Sequence, residues 1–143
     1  MPHAERTITI NRSPEDVFAF FSDPANDPAW RGHVKEISPE GPPGVGRRIH
    51  QVIDGPGGRS IAADIEVTAY EPPTRYAFQV VAGPARPRGE FRFAPSGTGT
   101  QATFSLSADL GMLKGLFMNR PVQGSMDGEM RGLDTAKAKL EGG

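Results

Sequence analysis

At 143 residues the chain has the length of one domain, spanning 1–143, and with no cysteine it is built without disulfides or thiolate-bound metal. Its 16 basic and 17 acidic side chains leave a formal charge of −1, which excludes a global field for nucleic acid or for an anionic membrane. No apolar run reaches the roughly eighteen residues of a spanning helix, the opening MPHAERTITI lacks a signal peptide's apolar stretch, and a cysteine-free chain of this kind is expected in the cytoplasm.

The first element is a strand. RTITI (6–10) sets Ile8 and Ile10 on one face and Thr7 and Thr9 on the other. SPEDVFAFFSDPANDPAW (13–30) then starts a helix more than once. Ser13 is an N-cap, Pro14 suits the first helical position and Asp16 stands where a capping box puts its acid. Asp23-Pro24 and Asp27-Pro28 repeat that chemistry, and a proline inside a helix costs about 3 kcal/mol. The stretch therefore predicts a helix of about nine residues with a Val17, Phe18, Phe20 and Phe21 arc, then a second of about one or two turns that ends on the single tryptophan, Trp30.

Strands follow, separated by turn signals. HVKEI (33–37) is short, and RRIHQVI (47–53) has two phases. One buries Ile49 and Ile53 and carries Gln51 inward, whereas the other buries only Val52 and carries His50 inward. Two isoleucines outweigh one valine by roughly 1.5–3 kcal/mol of burial, so Gln51 is placed inside and His50 outside, unless a bulge near PPGVG reverses the register. SIAADIEVTAY (60–70) reads as one alternating strand through Ile61, Ala63, Ile65 and Val67. YAFQVV aligns Tyr76, Phe78 and Val80, GEFRFA aligns Phe91 and Phe93, and ATFSLSADL aligns Phe104, Leu106 and Ala108. Such alternation predicts an antiparallel sheet with one wet face.

The apolar face is covered by the C-terminus. Met126, Met130, Leu133, Ala136 and Leu140 recur at helical spacing, Pro121 suits a helix start and Gly142-Gly143 an end, which predicts about twenty residues of helix from Val122. Before it, LGMLKGLFMNRP (110–121) is apolar, but Gly111 and Gly115 weaken a helix there. It reads as a packed first turn of the helix, as a gate, or as a dimer or membrane-surface contact.

The order strand, two short helices, about six strands, long helix is similar to that of the START-like, helix-grip superfamily, in its polyketide cyclase/dehydrase-like (SRPBCC) branch. The residues that carry the resemblance are SPEDVFAFFSDPANDPAW, VTAYEPPTRYAFQV (67–80), GEFRFAPSGTGTQATFSL (89–106) and LDTAKAKLEGG (133–143), nearly the whole chain. The resemblance implies an α+β fold. A curved antiparallel sheet of about six to seven strands would wrap around the long C-terminal helix, with the two short helices after strand 1 forming a V beneath it. It also implies a cavity between sheet and helix, with Trp30 at the junction, either as core or with one ring edge lining the cavity. None of these motifs is specific for a reaction.

The residues offer no convincing catalytic constellation. No HxxxH, HxH or HExxH spacing occurs, so neither a metal site nor a cofactor is expected. His3 and His33 read as exposed, and so do Asp64 and Glu66. Asp127 and Glu129 read as pointing off the Met126–Met130 stripe, and Asp134 as a surface residue. Arg86, Arg88 and Arg92, with Glu90 among them, read as a solvated strand face. Tyr76 is the best catalytic candidate, joined by His50 if its register flips.

What remains is an apolar lining with few polar groups. From the sheet it takes Gln51, Ile65, Val67, Tyr76, Phe78, Phe91, Phe93 and Phe104. Trp30 joins from the short helices, and Leu113, Phe117, Met126 and Met130 from the C-terminal part. The expected function is non-catalytic binding of a hydrophobic or aromatic small molecule, lipid-, steroid- or polyketide-like. A polyketide cyclase/dehydrase-type enzyme is the alternative and a protein-interaction module the second. No nucleic-acid partner is expected, and the chain reads as a monomer or homodimer.

Overall fold

The computed structural model describes residues 2–142, except for the side chains of Pro56, Met112, Leu113, Lys114 and Leu116. Strand β1 (His3–Ile10) leads to α1 (Pro14–Ser22), a 3₁₀ turn (Pro24–Asn26) and α2 (Asp27–Trp30). The strands β2 (Val34–Glu40), β3 (Arg48–Asp54), β4 (Ser60–Ala62), β5 (Ile65–Glu71), β6 (Arg75–Val80), β7 (Arg88–Ser96) and β8 (Gly99–Ser107) follow, and α3 (Gly111–Gly142) closes the chain. The antiparallel sheet has eight strands, seven of them in the order β1-β8-β7-β6-β5-β3-β2, with β4 paired to β3 alone. Among the described residues no helix is long and apolar enough to cross a membrane.

The helix punctuation works as predicted at two of its three signals. Ser13 Oγ accepts from the Asp16 N–H at 3.2 Å, and Asp23 Oδ1 accepts from the Ala25 N–H at 3.0 Å, so α1 and the 3₁₀ turn begin on their own caps. Asp27-Pro28 does not repeat that chemistry, because Asp27 is already the first residue of α2, which has no side-chain cap. Two predicted boundaries shift. The single strand read over 60–70 is two, because Asp64 turns out of the ladder: its Oδ1 accepts from the Gln51 N–H at 3.1 Å, and the chain breaks between β4 and β5. The long helix begins at Gly111 rather than Val122 and carries Pro121 in its interior. Local propensity put the start at the proline, but buried anchors on both sides, Leu110 and Val122, hold the earlier turns against the sheet. Asp109 Oδ1 accepts from the Gly111 N–H at 3.1 Å, and Gly111 takes φ +70°, a conformation open to glycine.

The helix α3 is held asymmetrically. On the β1 side a row of polar bonds runs along it. The Gln123 amide donates to the His3 carbonyl at 2.7 Å, Arg6 Nη1 donates to the Met130 carbonyl at 3.0 Å, and Arg12 Nη1 donates to the Leu140 carbonyl at 2.6 Å. Lys137 Nζ donates to the Thr9 carbonyl at 2.5 Å. Near its middle, Gly132 meets Trp30 at the end of α2. Beneath, aromatic rings fill the sheet face. Phe91 and Phe104 stack with centroids 4.1 Å apart and planes 2° from parallel, and Phe21 of α1 stacks on Phe91 at 4.7 Å. Phe18 meets Tyr70, Tyr76 and Phe93 edge-on.

A side chain at Gly132 would place its Cβ 2.7 Å from the Trp30 carbonyl oxygen and 3.2 Å from Trp30 Cε3, whereas Gly124 faces open space. Gly132→Ala is therefore expected to cost about 1–3 kcal/mol by overpacking. Gly124→Ala should stabilise by about 0.5–1 kcal/mol through helix propensity. Urea unfolding of the two variants measures the opposite signs.

Candidate functional site

Between α3 and the concave face of the sheet lies a cavity of about 700 Å³. Its apolar wall is built by strand alternation: Ile49 and Gln51 on β3, Ile65 on β5, Tyr76, Phe78 and Val80 on β6, Phe91 on β7, and Phe104 and Leu106 on β8. The helical wall is Met118, Pro121, Val122, Ser125, Met126 and Glu129. Exposed lining residues mark the rim: Asp54 and Ala62 around β4, Pro84 and Arg86 in the β6–β7 loop, and Pro121 and Ser125 on α3.

Of the sequence-predicted lining, Trp30, Gln51, Ile65, Tyr76, Phe78, Phe91, Phe104 and Met126 stand together around this space. Val67, Phe93 and Met130 are buried but belong to the packed core outside the lining. Phe93 lies under α1, where Phe18 and Phe21 cover it, and the Met130 backbone is turned to β1 through Arg6. Phe117 is 81 % exposed and does not line the cavity, although its neighbour Met118 does. Leu113 lies outside the described side chains. His50 stands outside the cavity, its Nδ1 3.0 Å from Asp64 Oδ1, while Gln51 is 2 % exposed.

The polar end of the cavity gathers residues that periodicity did not single out. Arg31, the residue after Trp30, is its centre. Arg31 Nε donates to Glu129 Oε2 at 2.9 Å and Nη2 donates to Glu129 Oε1 at 2.9 Å, a bidentate pair. Nη1 donates to Asp27 Oδ2 at 3.1 Å and to Gln51 Oε1 at 2.6 Å. Gln51 passes the chain on, its Nε2 donating to the Ala63 carbonyl at 3.1 Å. His33 Nε2 lies 2.7 Å from Glu129 Oε1. The side chains of Asp27, Arg31 and Glu129 are only 15, 11 and 10 % exposed. Glu129 was expected off the apolar stripe. It sits three residues after Met126 and four before Leu133, which is the buried face, and that spacing together with an arginine beside the tryptophan is the signal that could have found the pair. His33 was expected exposed; it is half-buried and lines the cavity.

Burial divides the two carboxyls. For Asp27 loss of hydration outweighs the pull of Arg31 and pushes the carboxyl up to about 6. For Glu129 burial also opposes charge, but Arg31 and His33 hold it down at about 2. Burial first, then the charge of Asp27, pushes the Tyr76 hydroxyl up, so it is a hydrogen-bond donor rather than a base. The Trp30 indole N–H is buried near Asp27, close enough to favour its charge, yet makes no hydrogen bond of good geometry. Asp27 Oδ1 accepts no hydrogen bond of good geometry among the described residues.

The two carboxyls give stability of opposite sign with pH. Folding raises Asp27, so its contribution is full below the unfolded value of 3.8 and is lost as pH rises through about 6. Folding lowers Glu129, so its contribution is full above the unfolded value of 4.5 and is lost as pH falls toward about 2. Asp27→Asn is expected to flatten the decline in urea stability between about pH 4 and pH 6. Curves that stay parallel for the two proteins would contradict the assignment.

A model of the family described as polyketide cyclase / dehydrase and lipid transport matches residues 1–141. The structure is similar to that of TTHA0849 from Thermus thermophilus, at 20 % identity and TM-score 0.80 over 97 % of each chain. It is also similar to a START superfamily protein from Mycobacterium smegmatis, at 15 % identity and TM-score 0.76 over 96 % of this chain and 98 % of that one. A third similar structure, DR_A0006 from Deinococcus radiodurans, has 19 % identity and TM-score 0.72 over 99 % of this chain and 98 % of that one. No curated protein matches the chain.

Proposed function

This chain belongs to the polyketide cyclase / dehydrase and lipid transport family, and from that membership we propose that it binds a hydrophobic or aromatic small molecule, lipid-, steroid- or polyketide-like, in the cavity between the sheet and α3. The observation that carries the reading is the cavity itself: about 700 Å³ left open and walled by aromatic and aliphatic side chains, with one cluster of polar groups. Protein interiors ordinarily close to near-crystal density, and a void lined by side chains costs stability, so a space of this size is kept for an occupant. It lies within the roughly 300–1,000 Å³ of small-molecule sites, and its few polar groups suit orienting a ligand.

Nile red, an uncharged fluorophore, is expected to bind with micromolar affinity, which corresponds to about −8 kcal/mol. Val122→Trp, which fills the space from the helix side, should weaken it at least about tenfold while the far-ultraviolet circular dichroism stays unchanged. Equal binding by both proteins, or by neither, would overturn the reading.

One observation favours an enzyme as the second reading: Asp27 lines the cavity with a carboxyl pushed up to about 6, close to the pH at which a general base or acid works best. Such a carboxylate could take a proton from the carbon beside a bound ketone carbonyl, the C–H electron pair moving into an enolate, and return a proton to that carbon. In deuterium oxide this predicts deuterium uptake by 2-decanone next to its carbonyl, read by NMR and lost in Asp27→Asn. Uptake no faster than in buffer would exclude this chemistry.

A further inference from the structure

Resting on the cavity reading above, we infer that the natural ligand is an uncharged, hydroxyl-bearing lipid-like molecule whose hydroxyl donates to Asp27, and that the site rejects carboxylates. The charge count at the buried end carries this. One guanidinium, Arg31, faces two carboxylates, Asp27 and Glu129, and four of its five N–H groups are spent on them and on Gln51. His33 serves Glu129, and Tyr76 across the cavity adds no charge. A fatty-acid headgroup that reaches this end meets no spare cation and a surplus of negative charge, in a place where water does not screen it. Arg86, an exposed cation of the rim, stands in solvent, its Nε donating to the Gly83 carbonyl at 3.0 Å.

The free acceptor decides between the remaining headgroups. Asp27 Oδ1 is the oxygen of the cluster that accepts no hydrogen bond of good geometry among the described residues. A hydroxyl needs one acceptor for its one donor and is satisfied there. An ammonium gains from the same surplus of negative charge, but it brings three donors to one acceptor and would leave N–H groups buried and unpaired, a cost that outweighs that gain. The rest of the wall is apolar and takes an alkyl or ring body.

The test is displacement of Nile red by decan-1-ol, decanoate and decylammonium at pH 8.5, where an imidazole is ordinarily neutral. Decan-1-ol is expected to bind at least tenfold more tightly than decanoate and more tightly than decylammonium. Asp27→Asn should narrow the gap between alcohol and carboxylate at least fivefold, by raising decanoate affinity, and an unchanged far-ultraviolet circular dichroism spectrum shows that the variant is folded. Decanoate or decylammonium binding as tightly as the alcohol overturns the inference and leaves the cavity reading standing. A gap unchanged in Asp27→Asn removes Asp27 as its cause. Failure of Nile red and all three amphiphiles to bind ends both.

Discussion

A guanidinium removed from water is among the costliest groups a protein can bury, and this fold is arranged around one. Arg31 joins three parts of the chain that are far apart in sequence: Asp27 at the start of α2, Gln51 on β3 and Glu129 on α3. Removing Arg31 would leave two carboxylates facing each other inside, which is where breaking a buried pair becomes far more costly than making it was favourable. The cluster therefore fixes the distance between helix and sheet at one end of the cavity. Because its directions are set by hydrogen bonds rather than by packing, the space beside it can remain unfilled without letting the helix settle onto the sheet.

The second fixed point is steric. The short helices exist because Asp23-Pro24 and Asp27-Pro28 forbid a continuous helix, and the turn they impose brings Trp30 under α3, with the ring over Gly132 and the Arg31 guanidinium 6.0 Å from the indole centroid. Phe21 extends the same contact into the stacked Phe91 and Phe104. Aromatic packing thus fills one half of the sheet's concavity and stops where the polar cluster begins.

Much of this was legible in the sequence. Alternation in the strands put Phe78, Phe91 and Phe104 on one face, and comparing two isoleucines with one valine placed Gln51 inward and His50 outward, as their exposures of 2 % for Gln51 and 44 % for the His50 side chain show. What alternation cannot tell is which inward residues touch the cavity and which touch one another. Val67, Phe93 and Met130 share the buried face with the lining residues, and only the placement of α1 and the hold on β1 separate them. Charged residues were hidden for a different reason. Glu129 was read alone, as pointing off the apolar stripe, and Arg31 was not singled out; burial becomes affordable for them only as a pair 98 positions apart. Pro121 misled because its local preference for a helix start is real but weaker than the burial of its neighbours.

The row of bonds from α3 to β1 has a consequence beyond holding the helix. β1 is the terminal strand of the sheet, and a terminal strand normally offers unpaired backbone groups to any extended chain that meets it. Here Gln123 takes both the N–H and the carbonyl of His3, and Lys137 takes the carbonyl of Thr9. The opposite terminal strand, β2, carries Pro39, which has no N–H to give, and the charged Lys35, Glu36 and Glu40. Both margins of the sheet are thereby protected against strand addition, one by side chains borrowed from the helix and the other by its own composition, so a protein that keeps an open apolar interior does not also present an edge on which copies could polymerise.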